Sequence, residues 1–203
     1  MRSLTPEEVN EISKRGPIIS HVLIQFIAKN RATNAAERLG LWTGDDHQDF
    51  TADGETDTYY GAGSIISLSD MENAIGTDVR KYKVTVSNLT PEVQTLIRTY
   101  ELRGAKVKIF TLMFSPESGL PVTIPRRRFK GWVDRAPITT GAKGGTSSAT
   151  LELASVSRNL TRTLGARRSN ENQKLRNNSD TFLQYISVSG KIQIPWGTGK
   201  QIF

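Results

Sequence analysis

The chain contains no cysteine and only two histidines among its 203 residues. The lack of cysteine excludes disulfides, thiolate metal sites, iron–sulfur ligation and a cysteine nucleophile. Long hydrophobic runs are also missing: the longest, residues 22–28, is interrupted by Gln25 and is far shorter than a membrane-spanning helix. Residues 1–16 are too polar for a secretory signal peptide, so we expect none.

The bulk composition is that of a polar globular protein. Hydrophobic residues make up 36% of the chain and charged residues 23%. The length favours one main domain, and the abundance of Ser, Thr, Gly and Asn favours many turns and a mainly β fold. The net charge of +7 is compatible with nucleic acid or with an acidic protein surface, and it does not choose between them.

One segment, residues 79–114, predicts a strand, a helix and a second strand in close succession. Apolar and polar residues alternate from Tyr82, as in a half-buried strand. Thr90 and Pro91 are typical of a helix start, and the helix is predicted to end at Gly104. The rest of the segment alternates again, as in a long strand covered on both faces near its end.

The N-terminal segment predicts another short helix. Thr5 and Glu8 have the spacing of a capping box, and Val9 and Ile12 form the apolar side. The β-branched and aromatic segment 18–28 follows and is the best candidate for a central strand.

Residues 44–57 are predicted to be an acidic, glycine-containing loop. Their carboxylates and His47 are dense enough to raise the possibility of a calcium-like site. The spacing does not match an EF-hand, so a solvated loop is the preferred interpretation. A short strand over 65–68 is predicted after Tyr59 and Tyr60 resume extended structure.

The second half of the barrel is predicted from residue 115 onward. A hairpin loop over 115–119 leads into a return strand containing Pro121 and Pro125, which must lie at an edge or bend. Further strands follow, and Leu151 and Leu153 are predicted to lie in the core.

From Arg158 the composition shifts toward Arg, Asn, Gln and Ser. We predict an extended arm or loop over 158–178, a helical turn begun by Asp180, and a small last strand carrying Trp196. The predicted domains are therefore 1–157, a β-barrel with an N-terminal helix, and 158–203, a C-terminal arm with a small strand and helix segment.

No catalytic motif is present. His21 and His47 have no nearby acid–nucleophile pattern, and the nucleophile-elbow motif is missing. The turn at 60–64 contains two glycines but matches neither dinucleotide-binding nor P-loop patterns. We therefore predict that the chain is not an enzyme, with no cofactor and no metal site.

Two basic clusters are candidate contact sites. The triplet 126–128 and the pair Arg167 and Arg168 would contact phosphates if they shared a face. Strand alternation puts Arg126 and Arg128 on one side, where ion pairs with another subunit explain them equally well. No base-reading motif is present, so sequence-specific nucleic-acid binding is not expected.

The order of these features resembles the tail-tip hub proteins of long-tailed bacteriophages, the family of the lambda minor tail protein L. The similarity covers nearly the whole chain, and its motifs are TYYGAG at 58–63, VTVSNL at 84–89, FKGWVD at 129–134, LELAS at 151–155, RRSNENQ at 167–173, DTFLQYI at 180–186 and IPWG at 194–197.

The resemblance implies a β-barrel or split barrel with an extended C-terminal arm. It implies a structural hub in the virion, made in the host bacterial cytoplasm. The hub, expected to be a trimer, joins the tail tube and distal tail ring to the central tip or fibre proteins around the DNA exit channel. It also implies contact with the tape measure protein. The close alternative is a distal tail protein, expected to form a hexameric ring.

The family's cysteine-rich C-terminal region, suited to an iron–sulfur cluster, has no counterpart here, so no cluster is implied. The arm would instead be held by neighbouring subunits. The candidate interface residues are Arg126, Arg128, Arg167, Arg168, Phe182, Tyr185 and Trp196. The competing hypotheses are a nucleic-acid-binding β-barrel and a small hydrolase using His21 or His47.

Overall fold

The protein is mainly β, with one large mixed sheet and a few short helices, as predicted. The computed structural model describes residues 4–61, 63–71, 78–87, 90–143, 147–161, 163, 165 and 167–191. The chain divides into two compact units, Met1–Thr161 and Arg162–Phe203.

The elements of the first unit are α1 Pro6–Ser13, β1 Ile19–Asn30, β2 Ala36–Trp42, β3 Gln48–Ala52, β4 Glu55–Tyr60, β5 Ile65–Leu68, β6 Lys81–Ser87, α2 Pro91–Thr99, β7 Tyr100–Phe114, β8 Arg126–Arg135, β9 Ile138–Thr139, β10 Ser148–Ser155 and α3 Arg158–Thr161. The second unit contains α4 Asn170–Lys174 and α5 Ile186–Ser189. The strands form one sheet in the order β3-β4-β2-β1-β7-β8-β10-β6-β5, with β9 beside β10. Only the β2–β4 pair is parallel among the described strands.

The sheet is curled, as a split barrel requires. β4 and β5 lie near opposite ends of the strand order, yet only residues 61–64 separate them along the chain. Seven strand spacings would put them roughly 34 Å apart in a flat sheet. The five residue steps from Tyr60 to Ile65 reach at most about 18 Å. The two ends of the sheet must therefore approach each other, and the link is fastened to β6 by the Ser87 N–H, which donates to the Ser64 carbonyl at 3.0 Å.

The larger core is formed by side chains from α2 and from six strands that are adjacent in the sheet, namely β2, β1, β7, β8, β10 and β6. The helix contributes Val93, Leu96 and Ile97, which recur at helical spacing on its apolar face. Leu151 and Leu153 of β10 are fully buried there, as predicted. Each such side chain contributes about 1.5–3 kcal/mol by leaving water.

A second core lies on the other face of β1 and β7. The β3–β4 hairpin covers that face, with Phe50 and Tyr59 packed against Phe110 and Phe114 of β7. β7 is thus covered on both faces around Ile109 and Phe110, but Thr111 and Met113 nearer its end are only half-buried, so the predicted burial of both faces applies to the middle of the strand and not to its end.

The predicted loop over 44–57 is wrong, because most of it forms this hairpin. β3 and β4 pair from Gln48–Tyr59 to Ala52–Glu55, and the turn is Asp53–Gly54. Both turn residues have positive φ, +53° and +80°, as a two-residue hairpin turn that matches the twist of its strands requires. Asp-Gly is the sequence signal for such a turn. The many carboxylates around it favoured the interpretation of a solvated loop instead.

The predicted helix end at Gly104 is also wrong. α2 ends at Thr99, and β7 starts at Tyr100 and passes through Gly104, whose φ is +78°. The register with β1 shifts at this point, between Ile27 and Lys29. A glycine with positive φ serves a bulge as well as a helix end, and pairing with β1 decides between them.

The two helix starts are where the sequence predicts them. Thr5 and Glu8 form both hydrogen bonds of a capping box at α1. Thr90 precedes α2 with Pro91 in the first turn, but its side chain makes no capping hydrogen bond.

The second unit contains short helical turns. The predicted extended arm or loop over 158–178 is corrected here, because α3 of the first unit and α4 of the second unit lie within that range. The Ser169 hydroxyl caps α4, since it accepts from the Asn172 N–H at 3.3 Å. Asp180 accepts from the Phe182 N–H at 2.9 Å and from Gln173, and so begins the predicted helical turn.

Candidate functional site

The arginine triplet starts β8, and a bulge interrupts the alternation of its side chains. β8 pairs Phe129 with Ile109 but Arg127 with Phe110, so Arg128 is an extra residue. A bulge of this kind re-aims the side chains around it. The faces of the three arginines therefore do not follow from simple alternation.

Each arginine of the triplet has different surroundings. Arg126 forms an ion pair with Glu8 of α1. Arg127 Nη1 donates to Asp53 Oδ2 at the tip of the β3–β4 hairpin, at 2.7 Å. Arg128 lines a cavity at the end of β10. Arg126 and Arg127 thus hold parts of the same chain together.

The hairpin is fixed to the sheet by a cluster of charges. Asp53 lies between Arg127 and Lys108, whose Nζ is 3.3 Å away. Burial raises the pKa of Asp53, but the hydrogen bonds and charges of Arg127 and Lys108 outweigh it, so that the pKa lies below its usual value. Glu55 adds a contact of 2.6 Å with Arg38 of β2. Asp53, Glu55 and Asp57 are thus used in ion pairs, whereas Asp45, Asp46 and Asp49 of the same segment are exposed.

Two fully buried polar side chains, Gln25 and Tyr59, lie under the same hairpin. Gln25 Nε2 donates to the Asp57 carboxylate. Burial raises the pKa of Tyr59, and the negative charge of Asp57 raises it further, so the phenol stays protonated. The cluster stabilises the hairpin and offers no ionised phenolate for chemistry.

A cavity of about 420 Å³ opens where β10 ends. β10 stops at Ser155, opposite Gly131 of β8, while β8 continues to Arg126. Beyond Gly131, β10 therefore no longer runs beside β8. The residues along the cavity that matter here are Arg80, Tyr82, Arg128, Phe129, Lys130 and Ser155. We call this the cationic cavity.

The described residues that line the cationic cavity carry charge of one sign. Arg80, Arg128 and Lys130 are basic, and none of the described residues that line it is acidic. The ring centroids of Tyr82 and Phe129 lie 5.1 Å apart in an edge-to-face arrangement, and both residues line the cavity. A second cavity in the described part of the chain is lined by residues of both charge signs, and the cationic cavity differs from it in this respect.

The other cavity, of about 730 Å³, carries both signs. Arg158 forms an ion pair with Asp134, and Arg31 lies 3.7 Å from Glu101. The hydrogen bond from Arg158 is the main cause that lowers the pKa of Asp134. Because these charges are paired, we assign this cavity a structural role in holding α3.

Helix α1 exposes its predicted apolar side. Val9 and Ile12 face solvent, and the buried residue of the helix is Glu8. The loop between β7 and β8 lies beside this helix, because Lys14 Nζ is 3.9 Å from Glu117. The exposed apolar residues of this region are Leu4, Val9, Ile12, Ile18, Leu120 and Ile124. We call this set the N-terminal apolar surface.

The second unit also exposes apolar residues. Phe182 is 87% exposed and Tyr185 is 69% exposed. Arg167 and Arg168 precede α4, and both are exposed. Trp196, the remaining predicted contact residue, lies outside the described residues. Within this unit, aromatic and basic side chains are thus available to another chain.

The two histidines lie apart. His21 packs against Trp42 and Phe114, with ring centroids 5.4 and 5.1 Å away. His47 lies 4.0 Å from Glu92, at the start of α2. In the parts of the chain that the structure describes, no group of three potential metal ligands occurs.

Comparison with known proteins gives no assignment. No protein-family model and no curated protein matches this chain. The described helices include none that is long and apolar enough to span a membrane.

Sequence reasoning missed Glu8 and the three cations of the cationic cavity as a group. Glu8 has a capping-box signal, which predicts its bond to Thr5 but not its ion pair with a strand far along the chain. Arg80 and Lys130 line the same cavity because β10 ends early, and no local sequence pattern predicts where a strand ends relative to its neighbours.

Proposed function

We propose that this chain is a structural subunit of the tail tip of a long-tailed bacteriophage. In this proposal it is the hub, a trimer, that joins the tail tube and distal tail ring to the central tip or fibre proteins and surrounds the DNA exit channel. A hexameric distal tail protein is the close alternative. The role is assembly rather than catalysis, without a cofactor.

The observation that carries the proposal is the exposure of Phe182 and Tyr185 in the C-terminal unit. This unit has about 40 residues, too few to bury a stable core by itself. Its helices α4 and α5 contain no buried residue. Aromatic residues with this much exposure are typical of a segment that packs on another protein.

The first unit also supports a structural role in an assembly. The N-terminal apolar surface is not covered by any described part of that unit, and its residues suit a contact between subunits. The strand order also leaves β3 and β5 as the two edges of the sheet. Closed symmetric assemblies cover such edges without open-ended aggregation.

The proposal implies a position in the virion, at the tail tip, after synthesis in the host bacterial cytoplasm. It implies a distal tail or tail tube protein, the tape measure protein and central tip or fibre proteins as partners. None of these contacts requires Arg126, which is paired with Glu8 inside the subunit.

The test is the mass of the purified chain in solution together with its symmetry in intact tail particles by electron microscopy. Threefold density at the tail tip that fits the curled sheet supports the hub. Sixfold density at the end of the tail tube supports the distal tail ring instead. Absence of the chain from tail particles rejects both roles.

A nucleic-acid-binding β-barrel is the second candidate, and the distribution of charge favours it. Seven of the 27 lysines and arginines lie in residues 162–203, with only two of the 20 acidic residues. A basic segment of this kind binds nucleic acid with strong salt dependence. Weak binding that does not change between low and high salt would reject this candidate.

A further inference from the structure

We propose that Asp53 and Gly54, the turn of the β3–β4 hairpin, are a site of isoaspartate formation that the cations Arg127 and Lys108 hold in check. In this rearrangement the main chain comes to run through the side-chain carbon of the aspartate. The inference does not depend on the tail-tip role, because the turn and both cations lie within one compact unit of one subunit.

The reaction needs only these two residues and water. The Gly54 nitrogen attacks the carboxyl carbon of the Asp53 side chain, a C–N bond forms, and the carboxyl OH leaves with the proton of the nitrogen as one water. The product is a five-membered succinimide ring. Water then opens the ring at the main-chain carbonyl, which leaves Gly54 linked through the side chain of Asp53. One water leaves and one returns, so the mass is unchanged and no oxidant or reductant is required.

The first argument is the access to the attacking nitrogen. Glycine has no side chain to shield its N–H, and Asp53–Gly54 is the only Asp-Gly pair in the chain, which has no Asn-Gly pair. Both residues are exposed, and nothing lies within 4 Å of the place where a Cβ of Gly54 would stand. Among the described residues, none accepts a hydrogen bond from the Gly54 N–H. The nitrogen is therefore open to solvent and has no competing bond.

The second argument is the state of the carboxyl group that is attacked. A carboxylate is a poor electrophile and the neutral acid a much better one, so the rate follows the protonated fraction. Arg127 Nη1 lies 2.7 Å from Asp53 Oδ2, and Lys108 Nζ lies 3.3 Å from the same oxygen. Burial opposes ionisation, but these two cations outweigh it, and the pKa of Asp53 lies below its usual value. The same contacts restrain rotation of the side chain, and both effects slow ring closure.

The rearrangement would alter a turn on which the hairpin depends. Isoaspartate adds one carbon to the main chain of a two-residue turn, and the length and type of such a turn fix the register of its strands. It also shortens by one carbon the side chain that carries the carboxylate. The hairpin packs Phe50 and Tyr59 into the second core. The ion pairs of Asp53 therefore preserve the cover of that core over time.

The experiment is incubation of the folded full chain at neutral pH for several weeks, followed by proteolytic digestion. Isoaspartate is measured in the peptide that contains the turn, by chromatography and by electron-transfer fragmentation, which cleaves the additional main-chain bond. We expect Arg127→Gln to raise the rate of isoaspartate formation by roughly three- to tenfold, because one unit of pKa changes the protonated fraction tenfold. Lys108→Gln should change the rate in the same direction.

Arg38→Gln is the matched control. Arg38 pairs with Glu55 and Asp57 of the same hairpin and not with Asp53. The substitution removes the same charge and loosens the hairpin, but it leaves both cations of Asp53 in place. It should change the rate less than about twofold, because the charges next to the reacting carboxyl group are retained. The amide spectra of the variants report whether they fold.

A further variant tests the geometry of the turn apart from its charges. Asp53→Asn closes the same ring with loss of ammonia, and its neutral amide forms no ion pair with Arg127 or Lys108. We expect this variant to lose the amide much faster than the unmodified chain forms isoaspartate. The conversion is measured by mass, since the amide is replaced by a carboxylate.

Three results would overturn the proposal. The first is an intact amide in Asp53→Asn, which would show that the folded turn forbids ring closure. The second is equal acceleration in Arg38→Gln and Arg127→Gln, which would assign the protection to the fold of the hairpin and not to the ion pairs. The third is an equal rate of isoaspartate formation in the folded chain and in the chain unfolded by urea, which would show that the fold gives no protection.

Discussion

Arg126 of β8 and Glu8 of α1 form an ion pair between residues that are 118 positions apart in the chain. Glu8 is only 6% exposed, and the same carboxylate accepts the Thr5 N–H at 2.9 Å. One side chain thus completes the capping box and binds the helix to the sheet. The polar side of α1 is turned inward, which leaves Val9 and Ile12 in solvent.

The pair predicts a large effect of a single substitution. Arg126→Gln leaves a nearly buried carboxylate without its cation, so we expect it to lower the free energy of unfolding by about 3 kcal/mol. Urea unfolding of the full chain measures this. Arg98→Gln, at an exposed position, should change stability by no more than about 0.5 kcal/mol. Equal effects of the two variants would contradict a structural role for the pair.

The short link between β4 and β5 gives a second prediction. A Cβ at Gly61 would lie 2.3 Å from the Gly44 carbonyl oxygen, so Gly61→Ala must displace backbone. We expect a loss of about 2–3 kcal/mol in the free energy of unfolding, as for overpacking of a tight site. Gly16→Ala is the control, since nothing lies within 4 Å of the added Cβ. If both variants were equally stable, the link would not be the tight closure of the sheet.

A comparison of local patterns with long-range contacts shows which features of the fold the sequence alone predicts. The capping box of α1, the alternation of β6 and the apolar face of α2 are local patterns, and the structure has all three. The partner of Glu8 is not local, because it depends on where the chain returns more than a hundred residues later. The early end of β10, which opens the cationic cavity, also depends on the sheet and not on β10 alone.

The wrong predictions have the same cause. Gly104 and Asp53–Gly54 were ambiguous signals, since glycine at positive φ occurs in helix ends, hairpin turns and bulges. Pairing with β1 decides the first, and packing of Phe50 and Tyr59 on β7 decides the second. The bulge at Arg128 likewise changes which residues share a face, and no residue type in the triplet marks it.

The ion pairs of Asp53 predict acid sensitivity. Because its pKa is lowered in the folded state, Asp53 contributes stability above its ordinary pKa of 3.8. That contribution is lost as the pH falls below this value and through the folded pKa. Asp53→Asn should therefore be less stable than the unmodified chain at pH 7, and the difference should shrink at pH 2.5.

Urea unfolding at pH 7, 4 and 2.5 gives the comparison. Asp45→Asn is the control, because it removes the same charge from an exposed loop position away from Arg127 and Lys108. It should lower stability at pH 7 less than Asp53→Asn does. A difference between Asp53→Asn and the unmodified chain that stays constant with pH would exclude the proposed contribution.

The tail-tip proposal predicts that Phe182 and Tyr185 hold subunits together. Changing both to Ser removes two exposed aromatic side chains while no described buried contact of the unit is lost. Buried aromatic anchors of interfaces commonly contribute 2 kcal/mol or more each, so the loss of two should raise the dissociation constant of the oligomer by at least about thirtyfold. Sedimentation velocity of the full chain over a concentration series measures it, with Gln184→Ser as the control, because it changes an exposed polar residue between the two aromatics. An oligomer that dissociates equally in all three proteins would place the contact elsewhere, and the N-terminal apolar surface would be the next site to change, through Val9→Ser and Ile12→Ser.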